Sequence, residues 1–183
     1  MKENIFNTTK KYGIIYADPP WKYNPRNNLD TKFGGGAMRH YPTMTDYEIS
    51  RLPIERIADE NCACILWVTF PRLKEGIKVL EDWGFSYKTI AFNWYKTDKQ
   101  SSPFFGIGYY TKSNTEIALL GIKGRMKPAS NFVSQVIVSE REQHSKKPNI
   151  AREKTVELFG DLPRIELFAR QISDGWDCWG NEI

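Results

Sequence analysis

Residues 14 to 21, Ile-Ile-Tyr-Ala-Asp-Pro-Pro-Trp, bring an apolar strand to a stop on a carboxylate, two prolines and an indole. Those are the parts needed to handle an amino group on a flat base such as adenine. Such an amine is a poor nucleophile, because its lone pair is delocalised into the ring. Asp18 can accept one of its hydrogens; the two prolines lack N–H groups and fix φ, so the carbonyl of Pro19 can be held toward the other. Pro20 shapes the turn and Trp21 offers a stacking face. The plainer alternative is a buried strand leaving its sheet through a proline turn, with Asp18 capping that turn and Trp21 filling core. Four residues of this kind directly after a strand favour chemistry, since ligands of open α/β sheets bind outside the carboxyl ends of the strands.

A second constellation lies near the end of the chain. Arg164-Ile-Glu166-Leu-Phe168-Ala-Arg170 reads as a strand with a carboxylate near its tip, and Trp176-Asp-Cys-Trp-Gly-Asn181-Glu182 closes another strand with a second acid. That spacing suits a nucleotide-binding unit in which an acid at the following strand tip takes two ribose hydroxyls, and Glu182 is placed for it. The glycine-rich phosphate turn is missing, with Ala169-Arg170-Gln171 in its place. A cofactor with a ribose and no phosphate needs no such turn, and S-adenosylmethionine is that molecule. Its methionine carboxylate calls for a cation, which Lys147 or Arg170 can supply. Taken singly, each of these charges is more often a solvated surface group.

The elements that must position both constellations alternate along the chain. Tyr12 to Ala17 reads as a strand, followed by a long polar loop over about 22–42. Thr45-Asp-Tyr-Glu48 is a capping box that opens a short helix ending before Pro53. Cys62 to Thr69 is a continuous apolar run, as in a strand buried on both faces. Pro71 starts a helix through Trp83, stopped by Gly84. Strands are expected over 87–95, 116–122, 132–138, 165–169 and 176–179, a second long loop over about 97–113, and a helix from Pro148 to Phe159. Six or seven strands with helices between them make a three-layer α/β sandwich.

Composition bounds the rest. At 183 residues, 40% hydrophobic and 14% aromatic, the chain is expected to be one ordered domain over 1–183. It holds no long apolar span, and Met1 to Lys11 is polar and mixed, so a soluble cytoplasmic protein is expected, in the host cytoplasm if phage-encoded. Cys62, Cys64 and Cys178 with two histidines show no zinc spacing, and no metal is expected. A net charge of +4, from 26 basic and 22 acidic residues, is compatible with nucleic acid without requiring it.

On these residues the chain resembles the MT-A70 family of adenine N6-methyltransferases, from about Tyr12 to the C-terminus. The resemblance rests on Asp18-Pro-Pro-Trp21, on His40-Tyr-Pro-Thr-Met-Thr-Asp-Tyr-Glu48, and on Leu66-Trp-Val-Thr69. It continues through Gly121-Ile-Lys-Gly124, Val136-Ile-Val-Ser-Glu140, Ser145-Lys-Lys-Pro148, Ile165-Glu-Leu-Phe168 and Trp179-Gly-Asn-Glu182. It implies a Rossmann-like class I methyltransferase sandwich, permuted so that the Asp-Pro-Pro-Trp motif precedes the cofactor-binding strand. It also implies that Asp18 and the Pro19 carbonyl share the target amine, with Pro20, Trp21 and Tyr41 lining the adenine pocket. Lys147, Glu166, Phe168, Arg170, Asn181 and Glu182 then match positions around S-adenosylmethionine. Ile172 and Ser173 depart from a histidine and an asparagine of the messenger-RNA enzyme.

An adenine inside a duplex hides N6, so the base must be extruded or unpaired, and Trp21, Tyr23 and Tyr41 suit stacking on it. Lys22, Arg26, Lys32, Arg39 and His40 in the first loop, and Lys96, Lys99 and Lys112 near the second, are candidates to meet phosphates. DNA is the expected polymer, by likeness to the small bacterial and phage branch, with RNA as the alternative. A homodimer or a paralogous partner subunit is compatible with the family. The rivals are a non-catalytic family member acting as a nucleic-acid-binding scaffold, and a methylase of protein amides. Glutamine methylases favour Asn and Tyr at the ends of the motif, where this chain has Asp18 and Trp21.

Overall fold

In the structure, a computed structural model, residues 1–22, 42–106, 108, 110–141 and 146–183 are described. The candidates Tyr23, Arg26, Lys32, Arg39, His40 and Tyr41 lie outside the described residues.

Among the described residues seven strands form one sheet in the order β5-β3-β4-β2-β1-β6-β7. They are β1 (Tyr12–Ala17), β2 (Ala58–Val68), β3 (Ser86–Thr97), β4 (Thr115–Lys123), β5 (Val136–Glu140), β6 (Arg164–Leu167) and β7 (Asp177–Trp179). The pairs β1/β2, β1/β6, β6/β7 and β3/β5 are parallel, while β4 runs antiparallel to both β2 and β3. All strands but β4 therefore end on one edge. β4 is reversed because it returns directly from β3 with no crossover helix, which antiparallel pairing permits and parallel pairing does not.

The helices are α1 (Asp46–Ser50), α2 (Ile54–Ile57), α3 (Leu73–Asp82) and α4 (Asn149–Phe159), with a 3₁₀ turn over Phe70–Arg72. Thr45 does cap α1: its hydroxyl accepts the Glu48 N–H at 3.2 Å, and the Glu48 carboxylate takes the Thr45 N–H at 2.7 Å. Strand alternation divides the core into two layers. Ile15, Ala17, Cys64, Leu66, Ile165 and Leu167 pack with Ile49, Ile54, Val79 and Leu80 of α1 to α3. Ile14, Tyr16, Ala63, Ile65 and Trp67 face the opposite side with Ala151 and Phe159 of α4. The result is the α/β/α sandwich of a Rossmann-like fold.

Local differences from the sequence reading have local causes. The helix expected from Pro71 begins as a 3₁₀ turn and becomes α only at Leu73, since Pro71 sits at its first turn. A further short helix, α2, follows Pro53. β5 starts at Val136 rather than near Phe132, which is almost fully exposed. The segment between β6 and β7 carries no helix, although a helix between strands is the general expectation for this fold.

Candidate active site

β1 leads on toward β2 on one side of the sheet, whereas β6 leads to β7 on the other. The carboxyl ends of these adjacent strands therefore flank a topological switch point, where open α/β sheets bind ligands. Ala17 pairs with Leu167, so Asp18 and Phe168 leave the sheet side by side. The two constellations, some 150 positions apart in sequence, share one edge of the sheet.

The motif leaves β1 in a braced turn. The Trp21 N–H donates to the Pro19 carbonyl at 2.8 Å, and that oxygen keeps a second lone pair. The Pro20 carbonyl accepts from the Met44 N–H at 2.8 Å, and the Lys22 N–H donates to the Met44 carbonyl at 2.9 Å. The buried Trp21 ring donates from Nε1 to the Trp67 carbonyl at 3.1 Å, which locks the indole onto the end of β2. Arg72 lies 5.8 Å from that ring, bonds the Lys22 carbonyl at 2.8 Å and pairs with Asp46. The Lys22 side chain itself is exposed.

Asp18 is part of a chain of alternating charges. Its Oδ2 accepts from Lys147 Nζ at 2.8 Å; the same ammonium lies 3.3 Å from Glu116 Oε2, and Glu116 also pairs with Lys96. Lys147 is almost wholly buried and sits 5.6 Å over the Trp67 ring. Burial pushes the Asp18 carboxyl above its ordinary value, and the Lys147 charge and hydrogen bond pull against that rise. Burial by itself would lower Lys147, yet Asp18 and Glu116 outweigh it and hold the ammonium charged. Burial likewise pushes Glu116 up, and Lys147 with Lys96 overcomes it, so Glu116 titrates below the usual glutamate range. Lys96, a sequence candidate for phosphate contact, turns inward to this cluster instead.

Glu166 is buried, and both of its oxygens are held by Arg152 of α4, at 2.7 and 2.8 Å. Arg152 also donates to Asn149 at 3.0 Å and lies 5.5 Å over the Tyr16 ring. More open groups surround the tips of β6 and β7. Phe168 takes φ +59°, a left-handed conformation costly for a residue with a side chain and concentrated at functional sites. Its ring packs edge-on against Trp179 at 5.3 Å. Arg170 and Glu182 face each other at 3.5 Å, partly exposed, and Asn181 beside them is exposed. Gly180 sets their approach: a Cβ there would lie 2.7 Å from the Ala169 backbone nitrogen, so only glycine lets this segment lie against β6. A cation, a carboxylate, an amide and aromatic rings at the tips of β6 and β7 make a donor set whose chemistry fits a zwitterionic amino acid joined to a ribose and a base.

Sequence reasoning missed Glu116, Arg152 and Arg72. Arg152 was findable: it shares the inward face of α4 with Thr155 and Phe159, and a core-facing arginine requires a buried acid. Among the described residues there is no cluster of three or more His, Cys, Asp or Glu able to hold a metal, and no helix long and apolar enough to cross a membrane.

A parallel-rich α/β/α sheet with Asp-Pro-Pro-Trp at the tip of a central strand is the build of a Rossmann-like methyltransferase. The MT-A70 family model matches residues 12–182, and the chain belongs to this family of adenine N6-methyltransferases. It is 37% identical over 189 residues to the type II methyltransferase M.MunI of Mycoplasma sp., covering 95% of this chain and 78% of that one. It is 31% identical over 178 residues to a putative N(6)-adenosine-methyltransferase MT-A70-like protein of Medicago truncatula, covering 94% of this chain and 26% of the relative. With the human N(6)-adenine-specific methyltransferase METTL4 the identity is 26% over 196 residues, covering 98% and 39%.

Proposed function

We propose that the chain transfers a methyl group from S-adenosylmethionine to N6 of adenine in nucleic acid, with DNA as the favoured polymer. The observation that carries the reading is the shared edge: Asp18 stands at the tip of β1 beside β6, whose tip residues suit the methyl donor. When bound, S-adenosylmethionine supplies an electrophilic sulfonium methyl. Asp18 Oδ1, with no donor on it among the described residues, accepts one hydrogen of the N6 amine, and the second lone pair of the Pro19 carbonyl accepts the other. In the transfer the N6–C bond would form as the donor's S–C bond breaks, with that electron pair leaving on sulfur as the neutral thioether. The positive charge gathering on N6 is met more strongly by these acceptors in the transition state than in the ground state, and the surplus amine proton would then pass to Asp18 Oδ1. Trp21, expected from the sequence to stack on the base, is 5% exposed within the core layer and braces the Pro19 and Pro20 turn through its bond to the Trp67 carbonyl. Arg170 would hold the donor's carboxylate, and Asn181 and Glu182 would hold its ribose. Glu166 acts at one remove, because Arg152 occupies its oxygens. DNA is favoured because the resemblance points to the bacterial and phage branch and because most of the length of the Mycoplasma type II methyltransferase is covered. The plant relatives named for adenosine keep RNA as the second reading.

Incubation with labelled S-adenosylmethionine and matched DNA and RNA oligonucleotides, followed by mass spectrometry of nucleosides, tests this directly. N6-methyldeoxyadenosine is the expected product; methylation of RNA alone would transfer the reading to RNA, and no methylated adenine in either would end it. Asp18→Ala is expected to lower turnover by at least about 10²–10³-fold while calorimetric binding of the methyl donor persists.

A further inference from the structure

Among its described residues, the second long loop of the sequence pairs across itself as a β finger. Thr97 bridges Pro103 and Gly106 bridges Ser113, both antiparallel, with the Ser113 N–H donating to the Gly106 carbonyl at 3.0 Å. Asp98 Oδ1 accepts the N–H groups of Gln100 and Ser102, each at 2.9 Å, which fixes the turn where Ser101 takes φ +61°. The finger continues β3 and β4 beyond the edge that carries Asp18. Its root is tied to that acid, because Lys96 and Glu116, one on each strand of the root, belong to the charge chain that ends on Asp18. Farther out, Phe105 is 53% exposed and Tyr110 fully so. Cations lie over neighbouring rings: Lys112 is 5.1 Å from the Phe105 centroid, and Arg141, just past β5, is 4.6 Å from that of Phe104. Exposed aromatics on a braced element beside a site mark a recognition surface.

We propose that this finger is a platform for a single-stranded polynucleotide, on which bases flanking the target stack against Tyr110 and Phe105 while Lys112 and Arg141 meet phosphates. The proposal rests on the adenine-methyltransfer reading above and names how the polymer is held. Rings interleaved with cations match a polyanion of flat bases, since every base has a face to stack and every linkage a negative charge. A protein partner's apolar surface would leave those cations without anionic mates.

The test is fluorescence anisotropy, without methyl donor, of an adenine-containing unpaired deoxyoligonucleotide and of the RNA of the same sequence. Tyr110→Ala is expected to weaken binding of the preferred strand about tenfold. Lys112→Ala with Arg141→Ala is expected to reduce the slope of log affinity against log salt by about 0.7 for each phosphate that the variant no longer neutralises. Tyr110 and Lys112 are exposed and Arg141 is half-buried, and a thermal midpoint equal to that of the unsubstituted chain is the control that each variant folds. Unchanged affinity and slope in both variants overturn the proposal, as does a variant whose sedimentation changes while its affinity does not, which would make the finger a protein contact. A wild-type chain that binds through the finger yet methylates no adenine overturns the functional reading alone. A chain that methylates adenine while Tyr110→Ala binds normally overturns the finger alone.

Discussion

Asp18 can offset positive charge growing on the amine only when ionised, and its surroundings pull its ionisation two ways. Burial raises the carboxyl above the ordinary 3.8, and Lys147 opposes that rise. The acid limb of kcat/KM against pH is therefore expected above 3.8, and Lys147→Met is expected to move it higher by removing the opposing cation. A limb that stayed put in the variant would mean that Lys147 does not govern Asp18. Arg152 and Glu166 present a different case, since neither has water to fall back on. Arg152→Ala leaves a carboxylate unpaired in the core, and urea unfolding is expected to show a loss of about 3–5 kcal/mol. A loss below about 1 kcal/mol would show that solvent reaches Glu166 after all. At this scale the motif was legible, because Asp18, Pro19, Pro20 and Trp21 are chemically informative in a row. Glu116 was not: a single acid early in a strand looks like any solvated residue until Lys96 and Lys147 are seen beside it.

Helices and strands were legible where their signal was periodic or capped. The Thr45 capping box, the apolar run of β2 and the glycine stop at Gly84 all fall where the sequence places them. The finger was missed because its hairpin pairs through isolated bridges and side-chain turns, with no alternating apolar pattern to announce it. Packing between elements depends on single small residues. Gly76 lets α3 approach β2 so closely that a methyl there would overlap Val68 Cγ1 and press on Leu119. Gly76→Ala gains helix propensity, worth about 1 kcal/mol, but overpacks the layer at a cost of about 1–3 kcal/mol. Net destabilisation is expected in chemical denaturation; a stabilised variant would show that α3 can slide to make room.

Across the whole molecule, stability should depend on pH through its paired carboxylates. For Glu116 and Asp177, burial is outweighed by cationic and hydrogen-bonding partners, so both titrate below their ordinary values of 4.5 and 3.8. Each contributes stability above the unfolded value and loses it as pH falls through the lower folded one. Asp18 works in the opposite sense, since its raised carboxyl takes up a proton more readily folded than unfolded and regains some stability on acidification. Thermal midpoints are expected to hold near neutrality and drop below about pH 4, with a shallower acid slope in Glu116→Gln. An identical slope in that variant would remove Glu116 from the account.

The residues alone determined which chemistry was available: a strand-end acid, a proline-fixed carbonyl, a flat indole, and the alternation that makes an α/β sandwich. These follow from neighbours in sequence and from short periodicities, so a linear reading reaches them. Only the tertiary structure decided that β1 lies against β6, that Lys147 reaches Asp18 from 129 positions away, and that Glu166 spends its charge on Arg152. The physical reason is that strand order and buried ion pairing are set by how distant faces pack together, which no local pattern encodes.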